Sequence, residues 1–129
     1  MSKGEVLLSL VSRIFEFLYG VQDSLFYALV AFVIIDYITG ICLAIYNKQI
    51  NSAVGFHGIA KKVTIFLLVF LSHIIDKYLV VTDDILRNIT TLFYIVNEGM
   101  SIFENVGAMG LPLPDRLKHI LQYFENLKK

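Results

Sequence analysis

The sequence is poor in the residues that stabilise small secreted domains and metal-binding domains. Its 129 residues include one cysteine, Cys42, no tryptophan and two prolines. A single cysteine rules out a disulfide within the chain, and its place in an apolar stretch predicts a small buried side chain. The histidines, His57, His73 and His119, are far apart, and no histidine or cysteine pair has metal-ligand spacing. The sequence therefore predicts neither a metal nor another cofactor.

Charge of either sign is also scarce. Eleven basic residues balance eleven acidic residues, so the formal net charge is zero and no basic surface for nucleic acid is indicated. The sequence has no GxSxG nucleophile motif and no glycine-rich phosphate-binding loop. These absences predict a protein that is not an enzyme and that does not bind nucleic acid.

Apolar residues, by contrast, make up 57% of the chain and are concentrated in three long runs. The runs cover residues 24–46, 63–81 and 85–106. About 20 predominantly apolar residues are enough for a helix to cross a bilayer. The sequence therefore predicts one all-α membrane domain over residues 1–129, with three transmembrane helices.

Polar residues inside these runs are the candidates for function. Asp36 lies almost at the midpoint of the first run, and a central carboxylate costs roughly 2.5–3.5 kcal/mol on insertion scales, so it should face protein or water. In the third run polar residues recur every three to four positions, which places them on one stripe of a helix. The stripe consists of Tyr94, Asn97, Glu98, Ser101, Glu104 and Asn105. It suits the lining of a pore and the buried contact of a compact bundle equally well.

Small residues in the first run indicate a second candidate surface. Gly40 and Ala44 are one helical turn apart and lie near the face that carries Asp36. Small residues let membrane helices approach closely, and polar contacts add to their association. We expect a homo-oligomer held partly through Asp36, Gly40 and Ala44.

The remaining segments flank or connect the apolar runs. Residues 5–20 and 115–128 have the pattern of amphipathic helices, which we expect to lie on the membrane surfaces. Residues 47–62 are predicted to form a connecting loop, because Gly55 and Gly58 interrupt the helical pattern.

Basic residues predict the orientation. With three spans, the 47–62 loop and the C-terminal segment share one side of the membrane, and that side carries seven of the eleven basic residues. The positive-inside rule makes this side cytoplasmic and places the N-terminus outside. The seven residues are Lys48, Lys61 and Lys62 in the loop and Arg116, Lys118, Lys128 and Lys129 in the C-terminal segment.

Three motifs in this order resemble those of the toxin-secretion and phage-lysis holin family, and together they span roughly residues 24–120, about three quarters of the chain. The third motif is the most specific. The motifs are Asp36-Tyr-Ile-Thr-Gly40 followed by Ile-Cys-Leu-Ala44; Asn51-Ser52 with Gly55 and Gly58-Ile-Ala-Lys-Lys62; and Glu98-Gly-Met-Ser-Ile102-Phe-Glu-Asn105 leading into Gly110-Leu-Pro-Leu-Pro-Asp-Arg-Leu117.

The resemblance implies a membrane protein without enzymatic activity that accumulates in the bacterial cytoplasmic membrane. It implies a homo-oligomer that opens lesions in the lipid bilayer and is functionally coupled to an endolysin, or to a secreted toxin. Two other functions remain open at this stage. One is an antiholin-type regulator, and the other is a small ion or proton channel or transporter in which Asp36 or Glu98 would bind the ion.

Overall fold

A computed structural model describes residues 2–20 and 23–128 of the chain. Within these ranges the chain is helical and contains no β-strand, which confirms the all-α prediction. Lys128 and Lys129, which the sequence analysis counts among the cytoplasmic basic residues, have side chains outside the part of the chain that the structure describes. The helices are α1 (Lys3–Tyr19), α2 (Ser24–Tyr46), α3 (Ser52–Ile74), which continues through one π-helical segment (Ile75–Leu79), α4 (Ile85–Ala108) and α5 (Asp115–Lys128).

Two of the described helices are long and apolar enough to cross a membrane. They are Ser24–Tyr46, which is the first apolar run, and Gly55–Leu79, which combines most of α3 with its π-helical extension. Helix α4 has the length of a span, with 24 residues, but carries more charge. Helices α2 and α4 run in the same direction and pack on each other, and α3 runs in the opposite direction beside them.

The prediction of a connecting loop over residues 47–62 is wrong, because α3 already begins at Ser52. Gly55 and Gly58 do not end the helix; they face Tyr37 of α2. A Cβ atom at Gly58 would lie 3.3 Å from the Tyr37 ring, so the missing side chain lets the two helices approach closely. Lys61 and Lys62 are therefore helical residues and not loop residues.

The apolar core of the bundle is small, and most large apolar side chains point outward. Leu29 and Val33 of α2 meet Ile65 and Val69 of α3, and side chains of α4 cover this cluster. Cys42 is exposed on α2, so the prediction of a buried cysteine is wrong. The physical reason is that the face of α2 that packs on α4 carries Asp36, and Cys42 is turned away from it.

A buried arginine fixes the end of the bundle where α2 begins, α3 ends and α4 begins. The Arg87 side chain is 1% exposed. Its Nε donates to the Tyr19 carbonyl at 3.0 Å, its Nη1 donates to Asp23 Oδ2 at 3.0 Å, and the guanidinium lies over the Phe26 ring. Burial opposes the charge of the Asp23 carboxylate, but hydrogen bonds from the Phe26 N–H and from Arg87 hold the pKa of Asp23 below its ordinary value.

Asp76 caps α4 from the neighbouring helix. Its carboxylate accepts from the backbone N–H groups of Leu86 and Arg87, at 3.2 and 2.7 Å, and from the Thr82 hydroxyl. These N–H groups belong to the first turn of α4, where no partner exists within the helix. Asp84, the residue directly before α4, makes no side-chain capping bond and has a left-handed backbone. The cap thus fastens α4 to the end of α3.

Gly20 closes α1 at the same end. It is buried, its φ and ψ angles are 78° and −162°, and a Cβ atom there would lie 3.0 Å from the His73 ring. This backbone region is essentially restricted to glycine. Helix α1 can therefore end against the His73 ring only because residue 20 has no side chain.

We predict that Gly20→Ala destabilises the protein by roughly 1–3 kcal/mol, because alanine would have to adopt a strained backbone and would also press on His73. Thermal unfolding in detergent micelles, followed by circular dichroism, measures the change. Gly4→Ala is the control, since Gly4 lies in α1 and a Cβ atom there would meet only the Ser2 hydroxyl, at an ordinary contact distance of 3.9 Å. Equal unfolding of the Gly20→Ala variant and the parent would contradict the prediction.

Candidate functional site

Three charged side chains from three helices meet inside the bundle, and we refer to Asp36, Lys62 and Glu98 as the charge triad. The Lys62 ammonium donates to Asp36 Oδ2 and, at 2.7 Å, to Glu98 Oε2. The residues Asp36 and Glu98 are 6% and 3% exposed, and Lys62 is partly buried. One ammonium thus pairs with two carboxylates at a site that is largely closed to solvent.

The three helices bring the triad to one depth. Asp36 precedes the last residue of α2, Tyr46, by ten residues, and Glu98 precedes the last residue of α4, Ala108, by ten residues. Lys62 follows the first residue of α3, Ser52, by ten residues. At 1.5 Å per residue each group lies about 15 Å from the same end of the bundle, and a hydrocarbon core is about 30 Å thick. In a bilayer-spanning bundle the triad would lie near mid-membrane.

Asn105 extends the triad along α4. Its Nδ2 donates to Asp36 Oδ1 at 3.1 Å and to Thr39 Oγ1 at 3.0 Å. A Cβ atom at Gly40 would lie 3.8 Å from the same amide nitrogen. The face of α2 that carries Asp36 and Gly40 is therefore used for packing within the chain.

Two cavities flank the triad, and both are lined by Asp36, Lys62 and Ser101. The first, of about 570 Å³, lies between α2 and the start of α3 and includes Gly40 and Ala44 in its walls. The second, of about 790 Å³, lies between α3 and α4 and is called the α3–α4 groove below. Its lining comprises Asp36, His57, Ala60, Lys61, Lys62, Thr64, Ile65, Leu68, Tyr94, Asn97, Glu98 and Ser101.

The candidate residues of the sequence fall into two groups in the structure. Most of the candidate residues lie together, in the charge triad, in the walls of the two cavities or in contact with them. These residues are Asp36, Gly40, Ala44, Lys61, Lys62, Tyr94, Asn97, Glu98, Ser101 and Asn105. Glu104 and Lys48 lie apart from them and are exposed.

The sequence alone did not indicate that Lys62 pairs with both carboxylates, because the predicted 47–62 loop placed Lys62 outside the helices. The signal was present: two carboxylates in neighbouring apolar helices require a cation at the same depth, and α3 carries Lys61 and Lys62 there.

The arrangement of the charge triad supports ion pairing between three helices. Within residues 2–20 and 23–128, no cluster of three or more potential metal ligands occurs. The triad can hold the helices in register, and it can exchange its partners for water or for other charged groups.

These features define a small helical protein with two membrane-length helices and buried charges between its helices. The model of the bacteriophage holin family matches residues 13–126, and the chain belongs to this family. It is a family of membrane proteins that are not enzymes.

Curated relatives extend this result. An uncharacterized protein of Halalkalibacterium halodurans is 44% identical in an alignment of 110 residues that covers 82% of each chain. A protein from the nagH 3′ region of Clostridium perfringens is 34% identical over 92% of this chain and 89% of its own. A protein of Bacillus phage phi105 named probable holin is 38% identical over 69% of this chain and 67% of its own. No solved structure matches the chain.

We predict that Lys62→Met destabilises the monomer in detergent by about 3–5 kcal/mol, because two buried carboxylates lose their cation. Chemical unfolding measures this loss. Lys61→Met is the matched control, since Lys61 is the adjacent residue and is exposed. Adding Asp36→Asn and Glu98→Gln to Lys62→Met should recover much of the stability. A Lys62→Met variant as stable as the Lys61→Met variant would show that the triad does not hold the bundle.

Proposed function

We propose that the protein is a holin, without enzymatic activity, which oligomerises in the bacterial cytoplasmic membrane and forms lesions through which an endolysin or a toxin crosses. The observation that carries the proposal is membership of the bacteriophage holin family, together with a relative named probable holin. The charge triad fits this function, because a protein that must first accumulate in a membrane and later open it needs polar groups that are satisfied within each chain.

We further propose that α4 is a third membrane-spanning helix. Its 24 residues extend about 36 Å, which is enough to cross the hydrocarbon core. Its buried charges, Arg87 and Glu98, are paired with groups of the other helices, while Ile89, Leu92 and Phe93 are exposed on its outer side. A helix with paired charges inside and apolar residues outside suits a bilayer.

The lesion itself is proposed to use the polar stripe of α4. In the single chain, Tyr94, Asn97 and Ser101 border the α3–α4 groove and Glu98 is covered by Lys62. When several chains assemble and their helices separate, water can replace the contacts that these groups make within one chain. The energetic cost of opening is thereby reduced, since each polar group keeps a hydrogen-bonding partner.

The orientation follows from the basic residues that remain outside the bundle. Lys62 and Arg87 are paired within it, so they contribute little to the asymmetry. The end of the bundle near the α2–α3 connection keeps more free basic residues than the Arg87 end, and we propose that it is cytoplasmic, with the N-terminus outside. The residues compared are Lys48, Lys61, Arg116 and Lys118 against Lys3, Arg13 and Lys77.

We predict that cysteine labelling will show the N-terminus outside and the C-terminal helix in the cytoplasm. The test uses cells that express single-cysteine variants in a Cys42→Ser background. A membrane-impermeant maleimide should label Ser12→Cys in intact spheroplasts and should label Lys118→Cys only after permeabilisation. Both positions are exposed and lie in the two terminal helices, so their reactivity can be compared directly. The reverse labelling pattern would show that the N-terminus is cytoplasmic.

We predict that co-expression with an endolysin that lacks a signal sequence gives abrupt lysis at a defined time. Expression of the protein alone should collapse the membrane potential and stop growth without digesting the wall, and the endolysin alone should leave the cells intact. Optical density and a potential-sensitive dye record the two effects. Normal growth with delayed lysis by a second holin would indicate an antiholin. Selective and non-lethal ion flux would indicate a channel.

A further inference from the structure

The first of the two cavities beside the charge triad, which we call the α2–α3 cavity, extends from one end of the bundle to the triad. Its outer walls include Ile50, Asn51 and Ser52, which are exposed beside the α2–α3 connection, and Asp36 and Lys62 line its inner part. Ten residues of α3 separate Ser52 from Lys62, which is about 15 Å. The cavity thus covers the distance from this end of the bundle to the depth of the triad.

The Lys62 ammonium indicates what fills this cavity. An ammonium has three N–H donors, and in the described part of the chain Asp36 and Glu98 accept from two of them. The Lys62 side chain is 18% exposed and lines the cavity, so a small acceptor there can reach the remaining donor. Lipid chains offer no acceptor, whereas the volume of about 570 Å³ has room for roughly ten water molecules. Water therefore satisfies this donor and an acyl chain does not.

An apolar layer follows the triad on the side away from the α2–α3 connection. It is the apolar core cluster, whose α2 residues lie three and seven positions before Asp36 and whose α3 residues lie three and seven positions after Lys62. Because α2 and α3 run in opposite directions, both pairs lie beyond the triad, about 5–10 Å closer to the Arg87 end. Each member is at most 7% exposed. The members are Leu29, Val33, Ile65 and Val69.

We propose that the α2–α3 cavity is a water-filled vestibule that opens at the α2–α3 connection and hydrates the charge triad of a single chain, and that the apolar core cluster seals the bundle beyond the triad. The inference rests on the proposed insertion of the bundle in a bilayer. It deepens the proposed function, because water inside each closed chain already reaches about 15 Å into a hydrocarbon core about 30 Å thick. Opening then has to breach only the remaining half.

The reactivity of two cysteines at equal depth tests the vestibule. A thiol reacts as its thiolate, which forms in water and not among lipid chains. In a Cys42→Ser background, Ser101→Cys places a thiol in the cavity wall, and Ile59→Cys places one on the exposed outer surface of α3. Ser101 lies seven residues before the last residue of α4, and Ile59 lies seven residues after the first residue of α3. Both are therefore about 10 Å from the same end of the bundle.

A charged, membrane-impermeant methanethiosulfonate is added to sealed membrane vesicles, on the face from which Lys118→Cys is labelled. Membrane fractionation first establishes that each variant is inserted. Ser101→Cys should react at least about tenfold faster than Ile59→Cys. Equal rates at the two positions would show that lipid chains fill the cavity and would overturn the proposal.

Blocking each cavity in turn identifies the route of the water, because Ser101 lines the α3–α4 groove as well. Ala44 lines the α2–α3 cavity and Ala60 lines the groove, so Ala44→Phe and Ala60→Phe make the same change in the two places. In the Ser101→Cys protein, Ala44→Phe should slow the labelling several-fold and Ala60→Phe should leave it unchanged. Slower labelling with Ala60→Phe alone would assign the water to the groove, and the proposal would be wrong.

Val33→Cys tests the seal. Val33 belongs to the apolar core cluster and is 6% exposed, and cysteine is of similar size. The thiol should stay unreactive from either face of sealed vesicles. A rate at Val33→Cys as high as that at Ser101→Cys would show that water passes the apolar core cluster in the closed chain and that no seal exists there.

These results are separate from the lysis assay. The vesicles must retain a trapped dye during labelling, so that reagent entering through lesions does not contribute. Fast labelling of Ser101→Cys in a protein that does not lyse cells would support the vestibule and count against the holin function. Lysis together with equal rates at Ser101→Cys and Ile59→Cys would support the function and count against the vestibule.

Discussion

A buried charge must keep a partner of opposite sign, and this constraint determines how the helices of this protein are placed. Lys62 contacts carboxylates from two other helices, Asp36 and Glu98. Removing one member of such a group costs several kcal/mol, far more than shifting an apolar contact. Helices that carry these residues therefore have one register in which every charge is paired, and their apolar side chains fill the space that this register leaves.

Apolar burial alone could not select that register in a membrane. Lipid chains are as apolar as leucine, so packing two apolar helices gains little hydrophobic energy. The bundle correspondingly has few buried apolar residues and many exposed ones, while its buried polar groups occur at two levels. One level is the charge triad. The other is the Arg87 end, where Asp76 caps α4 and Arg87 binds the Tyr19 carbonyl and Asp23.

The sequence predicted the elements that depend on local pattern and missed those that depend on contacts between helices. The apolar run 24–46 and the spacing of Glu98 and Asn105 are local signals, and the structure has the corresponding helices. The sequence predicts that Gly55 and Gly58 end a helix, whereas in the structure they face Tyr37 inside one. A glycine that permits close packing and a glycine that ends a helix look the same in a sequence, because the residue that faces the glycine is not known. The role of Lys62 was missed for the same reason, since it depends on partners 26 and 36 residues away.

The π-helical segment at the end of α3 shows how one helix satisfies both polar levels. Lys62 and Asp76 lie on this helix, fourteen residues and about 21 Å apart, and each must meet a fixed partner on α4. The wider turn at Ile75–Leu79 shifts the register of the last residues, and it places the Asp76 carboxylate on the first N–H groups of α4 while Lys62 stays between its carboxylates. A π-helical turn costs some backbone stability and often marks a functional position. Because both anchors are on α3, a sliding movement of this helix would break both together.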